Sequence, residues 1–379
     1  MKSGIRRKLG LAVAVLAMAG LVGLSQEKAA RAQWEASGHN NVNTSLGVST
    51  VEARQASAAH CARCHSDQGF VAWVSQLQKG DSGFIKGPDG KDATVAHLTS
   101  LGLTSKEAKP ITCTTCHDDE GDLRIVNNVS MLPSGFGVSA VGTGALCMSC
   151  HNTRNGRIDW KAEDKKSFGA PHHSSQADII MGKNVFFVND TSESTTSPHA
   201  AFTGDSCTTC HMSLSEEPHK YEVPRDSCSN CHGAEYKQTS VQRPTRQLLE
   251  SVRVAVQARL LARAADVKVV QAYDAAKSTY SEKLINGSDI KGITAIDSTS
   301  GQIAFTLKMA NGDEIITRIA DIRKAKLADG KPGEQVFTTA DPMVRAAYNY
   351  LMVKFDGSNG VHNPSFTREV LLASAAALK

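Results

Sequence analysis

Cys61-Ala62-Arg63-Cys64-His65 is the stretch from which the rest of the chain is read, because its frame returns four times. The repeats are Cys113-Thr114-Thr115-Cys116-His117, Cys147-Met148-Ser149-Cys150-His151, Cys207-Thr208-Thr209-Cys210-His211 and Cys228-Ser229-Asn230-Cys231-His232. Together they use all ten cysteines. Thirteen histidines are spread over 379 residues, so five of five cysteine pairs followed by His is roughly a one-in-ten-million coincidence. C-x-x-C-H is the attachment pattern of c-type haem. Two thiols add across the two vinyl groups as thioethers, and two intervening residues let both reach the ring edge. The next residue then offers an imidazole to the iron from one face. A disulfide framework leaves the histidines without a reason. A zinc site spaces its histidines away from the cysteine pair, and a thioredoxin-like pair is expected once, inside a βαβ pattern. The frames therefore imply five covalently attached haems, with His65, His117, His151, His211 and His232 as proximal iron ligands.

Eight histidines remain, and five irons need at most five distal ligands. His199 and His219 stand eight and nine residues before the next frame, a loop length suited to serving a neighbouring haem. His60 directly precedes Cys61, and His39 follows Ser37-Gly38. The pair His172-His173 follows Pro171, and one of the two is expected as a ligand. His362 stands before Asn363-Pro364, an N-cap and first-turn pair that holds it at a rigid helix entrance. The distal candidates are thus His39, His60, His172, His173, His199, His219 and His362; His97 reads as an ordinary helix or surface histidine. Met148 and Met212 lie inside or beside frames and read as packing residues.

The chain opens with Lys2, Arg6, Arg7 and Lys8, an apolar run from Leu9 to Leu24, and Ala30-Arg31-Ala32. That order is a secretory signal peptide, 1–32, too short for a comfortable membrane span. It holds six basic residues and one acid, so the chain's net charge of +4 becomes −1 without it. Basicity is then no argument for nucleic acid as a partner. Export to the periplasm or beyond the cell follows, with no membrane span after cleavage. Ten propionates and five ferric porphyrins would take the mature charge to roughly −6, which favours cationic or metal-bearing partners at the haem edges.

Residues 33–240 hold every frame and are expected to fold as short helices and loops around the cofactors. Aromatics are only 5% of the chain, and the haem rings would fill the core they leave. Residues 241–379 contain no cysteine. There, Pro244 is expected to precede a long helix with Leu249, Val252, Val256, Leu260, Val267 and Val270 near helical spacing, ended by Gly287 and Gly292. Ile303, Phe305, Leu307 and Met309 alternate before Asn311-Gly312, a hairpin signal over about 292–320, with Ile293–Asp297 as a third strand. Asp341-Pro342 and Pro364 each open a further helix. The fold class is mainly α with extensive loops packed around five haems, and a small β-hairpin insertion in a helical C-terminal region.

Five frames, long helices, and Val361-His362-Asn363-Pro364-Ser365 before a final helix resemble the ammonia-forming cytochrome c nitrite reductases and related multihaem cytochromes. By that resemblance His199, His219 and His362 match distal ligands. The departure is the absence of the C-x-x-C-K frame that those reductases typically carry at the catalytic haem. The chain also looks like the secreted multihaem cytochromes of metal-reducing bacteria. Some of these stack as filaments in which a His of one subunit ligates a haem of the next, a homo-oligomeric role that His39 fits. Two functions follow from these readings. The first is an electron-transfer protein with mostly bis-His haems, serving redox partner proteins or extracellular acceptors. The second is a reductase of nitrite or a similar oxyanion, with one open iron and cationic donors. Arg63, Arg154 and Arg157 are the available cations for the second, each expected to be solvated at the surface.

Overall fold

The computed structural model describes residues 25–154, 168–188 and 196–379. Most of the leader and Arg157 lie outside these residues. By compactness the chain divides into two units. The first gathers the described residues up to Gln76 with Gly83–Arg124 and Cys207–Asn230; the second gathers Leu77–Ser82, Ile125–Ser206 and Cys231–Lys379. The expected boundary near 240 separates frame-bearing from frame-free sequence, which is a division by composition rather than by compactness. Among the described residues no helix is long and apolar enough to cross a membrane.

The first unit is built of short helices and turns. Thr50 caps the helix Val51–Arg54 and Thr94 caps Val95–Ser100, each hydroxyl accepting a backbone N–H of the first turn. The helix Ala58–His65 carries the first frame. It meets the helix Asp67–Gln78 so closely that a Cβ on Gly69 would lie 2.3 Å from the Ala62 carbonyl oxygen, so only glycine fits there. Phe70 and Trp73 fill the interior, and Trp73 Nε1 donates to the Gly83 carbonyl at 2.9 Å. Trp34 Nε1 likewise donates to the Ile111 carbonyl at 2.8 Å, tying down the chain just beyond residue 32.

The second unit holds a large contiguous apolar cluster. Its spine is the helix Thr239–Ala262, which buries Val252, Val256 and Leu260, one stripe at a spacing of four. The helices Pro342–Asp356 and Pro364–Ala376 pack against it. Both begin as expected: Asp341 Oδ1 accepts the Met343 N–H, Asn363 Oδ1 accepts the Phe366 N–H, and a proline follows each cap. Three antiparallel strands, β3 (Ile290–Thr299), β4 (Gln302–Met309) and β5 (Glu314–Arg318), form the expected hairpin with its third strand. Ile296 pairs with Phe305, and Leu307 with both Ile293 and Ile315, so the apolar faces align.

Two expectations are corrected here. The long helix starts at Thr239, before Pro244, and stops at Ala262 rather than near 287. Pro244 contributes no N–H to the helix, and Thr245 Oγ1 donates to the Val241 carbonyl beside it at 3.0 Å. Val269 and Val270, placed on the helix by their spacing, belong instead to a second antiparallel sheet of β1 (Val269–Asp274) and β2 (Thr279–Leu284). β2 is exposed at every position but Tyr280, so it carries no apolar alternation to announce a strand. Gly287 is not a helix stop: a Cβ there would lie 1.7 Å from the Ala264 carbonyl oxygen, which is a demand of close approach. The fold is therefore helix-rich with two small sheets rather than one hairpin.

Candidate haem sites

Each Cys-x-x-Cys-His frame lies on a helical turn. They are the ends of Ala58–His65 and Gly144–Cys150, the turns Cys113–Cys116 and Ser229–His232, and a π-helical turn over Thr209–Ser213 that includes Cys210. One turn puts cysteines three apart on a common face, and the histidine emerges at its end. None of the ten cysteines is in a disulfide. The first unit holds three whole frames, and the unit boundary falls inside the fifth, between Asn230 and Cys231.

The first two frames are locked together. Asp67, two residues past His65, accepts hydrogen bonds from Thr114 Oγ1 at 2.8 Å and Thr115 Oγ1 at 2.7 Å, inside the second frame. Arg124 Nε donates to the Thr114 carbonyl at 2.8 Å. Burial, reinforced by Cys113 and Asp67, pushes the Cys116 thiol from 9.0 up to about 11.

The ring nitrogens show a pattern that the sequence did not reveal. His117 Nδ1 donates to the Gly121 carbonyl at 2.8 Å, and His211 Nδ1 to the Tyr221 carbonyl at 2.8 Å. His199 Nδ1 donates to the Val361 carbonyl at 3.2 Å. His362 Nδ1 meets Asp356 Oδ1 at 2.5 Å. His172 Nδ1 lies 2.7 Å from Ser174 Oγ, whose own proton goes to the Asn152 carbonyl, so the imidazole is the donor. A donating Nδ1 fixes the tautomer and leaves the Nε2 lone pair for a metal. His173 is different: its Nε2 is taken by Ser298 Oγ at 2.8 Å, its ring stacks on Phe355, and its side chain is 59% exposed. The pair expected to supply one ligand thus divides: Ser298 takes Nε2 of His173, while the contact of His172 is through Nδ1.

His199 and His232 lie with ring centroids 6.1 Å apart and planes at 88°. Two imidazoles on opposite sides of one iron, each bonded at about 2 Å, require centroids roughly 6 Å apart. Burial lowers the His199 pKa, with His232 and His362 adding to it against the Val361 carbonyl. His219 is held below the usual imidazole range by burial and then by nearby His117, and its Nδ1 is buried without a hydrogen-bond partner. In the same unit His39 packs edge-on to Tyr221 at 4.5 Å, and His60 edge-on to Phe84 at 4.6 Å. His97 is half-buried on the helix that Thr94 caps. His65 and His151 end their frame turns, and the His151 carbonyl accepts the Ala177 N–H at 2.9 Å. This donor set fits the cofactor that the frames imply: paired thiols on one turn, a histidine beside them, and further histidines with oriented Nε2.

The cationic donors do not stand as expected. Arg63 is 3% exposed rather than solvated. It donates to the His60 and Gly83 carbonyls at 3.1 and 2.9 Å and lies over the Trp73 and Phe84 rings. Its guanidinium is spent on holding the first unit together. Arg154 is half-buried.

Sequence reading missed Asp178, a fully buried carboxylate beside the third frame. It accepts from Thr153 N at 2.9 Å, Thr153 Oγ1 at 2.8 Å and Asn184 Nδ2 at 2.6 Å. Burial outweighs these bonds and raises its pKa from 3.8 to about 6. A raised carboxyl pKa gives stability that is present below the unfolded value and is lost as pH rises through the folded one. Between pH 4 and 7 the wild type should lose about 2 kcal/mol that Asp178→Asn does not. Urea unfolding of both proteins at the two pH values checks this; equal pH dependence would contradict it.

Compared with solved structures, the chain is similar to the crystal structure of the outer cell wall cytochrome OcwA, with a TM-score of 0.45 and 18% identity over 92% of this chain and 50% of that one. The chain spans about half the length of that protein. No family model matches the chain, and no curated relative does.

Proposed function

We propose that the chain is an exported multihaem c-type cytochrome that carries electrons through five covalent haems. The observation that carries this reading is the His199–His232 pair, with ring centroids 6.1 Å apart beside a Cys-x-x-Cys turn, a separation that leaves room for one iron between them. The cysteines Cys61, Cys64, Cys113, Cys116, Cys147, Cys150, Cys207, Cys210, Cys228 and Cys231 would hold the rings, and the five frame histidines would take the proximal positions. His199 would face His232, and His219 would face His117. His39, His60, His172 and His362 supply the three remaining irons with one ligand to spare. When bound, the haems supply one-electron chemistry; the chain sets axial ligation, burial and spacing, on which each potential depends.

The distribution of apolar residues supports the same reading. The first unit has three whole frames around a few fully buried side chains, Phe70, Trp73, Ile85, Leu98 and Leu103 among them. Flat apolar rings would add to the burial that these supply. Arg63, one of three cations available to the oxyanion-reductase reading, is committed to carbonyls and aromatic rings. Respiratory electron transfer outside the cytoplasm, with redox proteins or extracellular acceptors as partners, follows from the leader.

The test is expression in a host that matures c-type cytochromes. The expected product is red, has the intact mass of the chain from Gln33 plus five haems, and is wholly low-spin when oxidised. A colourless product, or one with far fewer than five haems, would overturn the proposal. One high-spin haem that binds carbon monoxide would instead favour the reductase.

A further inference from the structure

The segment from Asp356 to Asn363 joins the last two helices of the second unit, and it orients two imidazoles in different ways. Gly357 ends the first of these helices in the left-handed region, at φ 76°, and turns the chain back on itself. Gly360, at φ 93°, sits so close to the long helix that a Cβ there would lie 2.5 Å from Thr245 Oγ1. Asn363 closes the far end, capping the last helix and donating through Nδ2 to the Ile179 carbonyl at 3.1 Å. Inside this clasp, the Val361 carbonyl receives His199 Nδ1 at 3.2 Å, while Asp356 Oδ1 receives His362 Nδ1 at 2.5 Å.

The two contacts differ in charge. A neutral carbonyl polarises an imidazole N–H weakly; a carboxylate in hydrogen-bond contact draws its proton strongly and raises the donor strength of the other nitrogen. The Asp356 side chain is 1% exposed, so water does not dilute this effect. The carboxylate is also held from its other side. Ser358 donates to Oδ2 through both its backbone N–H and its hydroxyl, and the same hydroxyl accepts the His362 N–H at 3.1 Å. Histidine backbone, serine and carboxylate therefore form a closed ring around one bond.

We propose that Asp356 is a potential-setting positioning residue: it presents His362 to an iron with imidazolate character and makes that haem more reducing than those whose histidines donate to backbone carbonyls. The proposal rests on the haem reading above. Its consequence is direction, since a step in potential between neighbouring haems biases where an electron resides.

The experiment is spectroelectrochemical titration of the full holoprotein and of Asp356→Asn, with haem count and spin state recorded for both. The expected result is five low-spin haems in each, with one midpoint potential shifted to more positive values in D356N. Five unchanged potentials would overturn the role of Asp356. His362→Ala separates that failure from failure of the site: it should leave one haem high-spin, and an all-low-spin H362A protein would show that His362 is not a ligand. A preparation without haem would reject the proposed function itself. If D356N does not accumulate, near-infrared magnetic circular dichroism of the wild type serves instead. One haem in five should show the charge-transfer energy of an imidazolate-like ligand, and five equivalent bands would overturn the proposal.

Discussion

Replacing His199 by alanine is expected to convert one haem in five from low-spin to high-spin. The helix Pro198–Phe202 keeps its Ser197 cap, so the backbone has its own support. The variant removes an imidazole whose centroid is 6.1 Å from that of His232 and whose Nδ1 is committed to the Val361 carbonyl. His232 would remain as the single axial ligand, and the open face would bind carbon monoxide or cyanide. The lost hydrogen bond should cost about 1 kcal/mol of stability, too little to unfold the unit. Electron paramagnetic resonance and carbon monoxide difference spectra at a known haem concentration give the count. Added imidazole should restore the low-spin spectrum, which a purely structural loss would not allow. His97→Ala is the control and should change neither spectrum. A variant with all five haems still low-spin would remove His199 from the ligand set and, with it, the main support for the proposed function.

Asn349→Leu is expected to destabilise the protein by about 3–5 kcal/mol while leaving its haem count unchanged. Asn349 is wholly buried on the helix Pro342–Asp356. Its Oδ1 accepts the Phe186 N–H at 2.8 Å, and its Nδ2 donates to the Phe186 carbonyl at 2.8 Å and to Ser374 Oγ at 2.9 Å. One amide thus satisfies both backbone groups of a loop residue and pins a second helix. Leucine is branched at the same carbon and is no smaller, so the cost is not a cavity; it is the loss of the three hydrogen bonds that this buried amide makes. Ser374→Ala should cost much less, because its hydroxyl also donates to the Val370 carbonyl within its own helix, at 2.7 Å. The two positions share a bond, so the double variant should lose less than the sum. Urea unfolding checks both; a loss under 1 kcal/mol for N349L would sink the argument.

Parts of this molecule were legible because their signals are local. Asp341-Pro342 and Asn363-Pro364 mark helix starts because a cap and its N–H are two or three residues apart. Asn311-Gly312 marks the β4–β5 turn for the same reason. β1 and β2 were illegible because the turn between them, Ala275-Ala276-Lys277-Ser278, is made mostly of good helix formers, and β2 has no buried face to alternate. Arg63 misled for a related cause. An arginine inside a polar motif reads as solvated, and only the fold brings Trp73, Phe84 and the Gly83 carbonyl around it.

Alone, the order of residues determined the five cysteine-histidine frames, the helices that display them, and a roster of surplus histidines. These depend on contacts within a few residues, where covalent geometry leaves little choice. It could not determine which nitrogen of each imidazole is spoken for. His199 is oriented by a carbonyl 162 positions away and His173 is diverted by a serine 125 positions away. Partners so distant along the chain become neighbours only after packing, so the chemistry of each surplus histidine was decided by the tertiary structure.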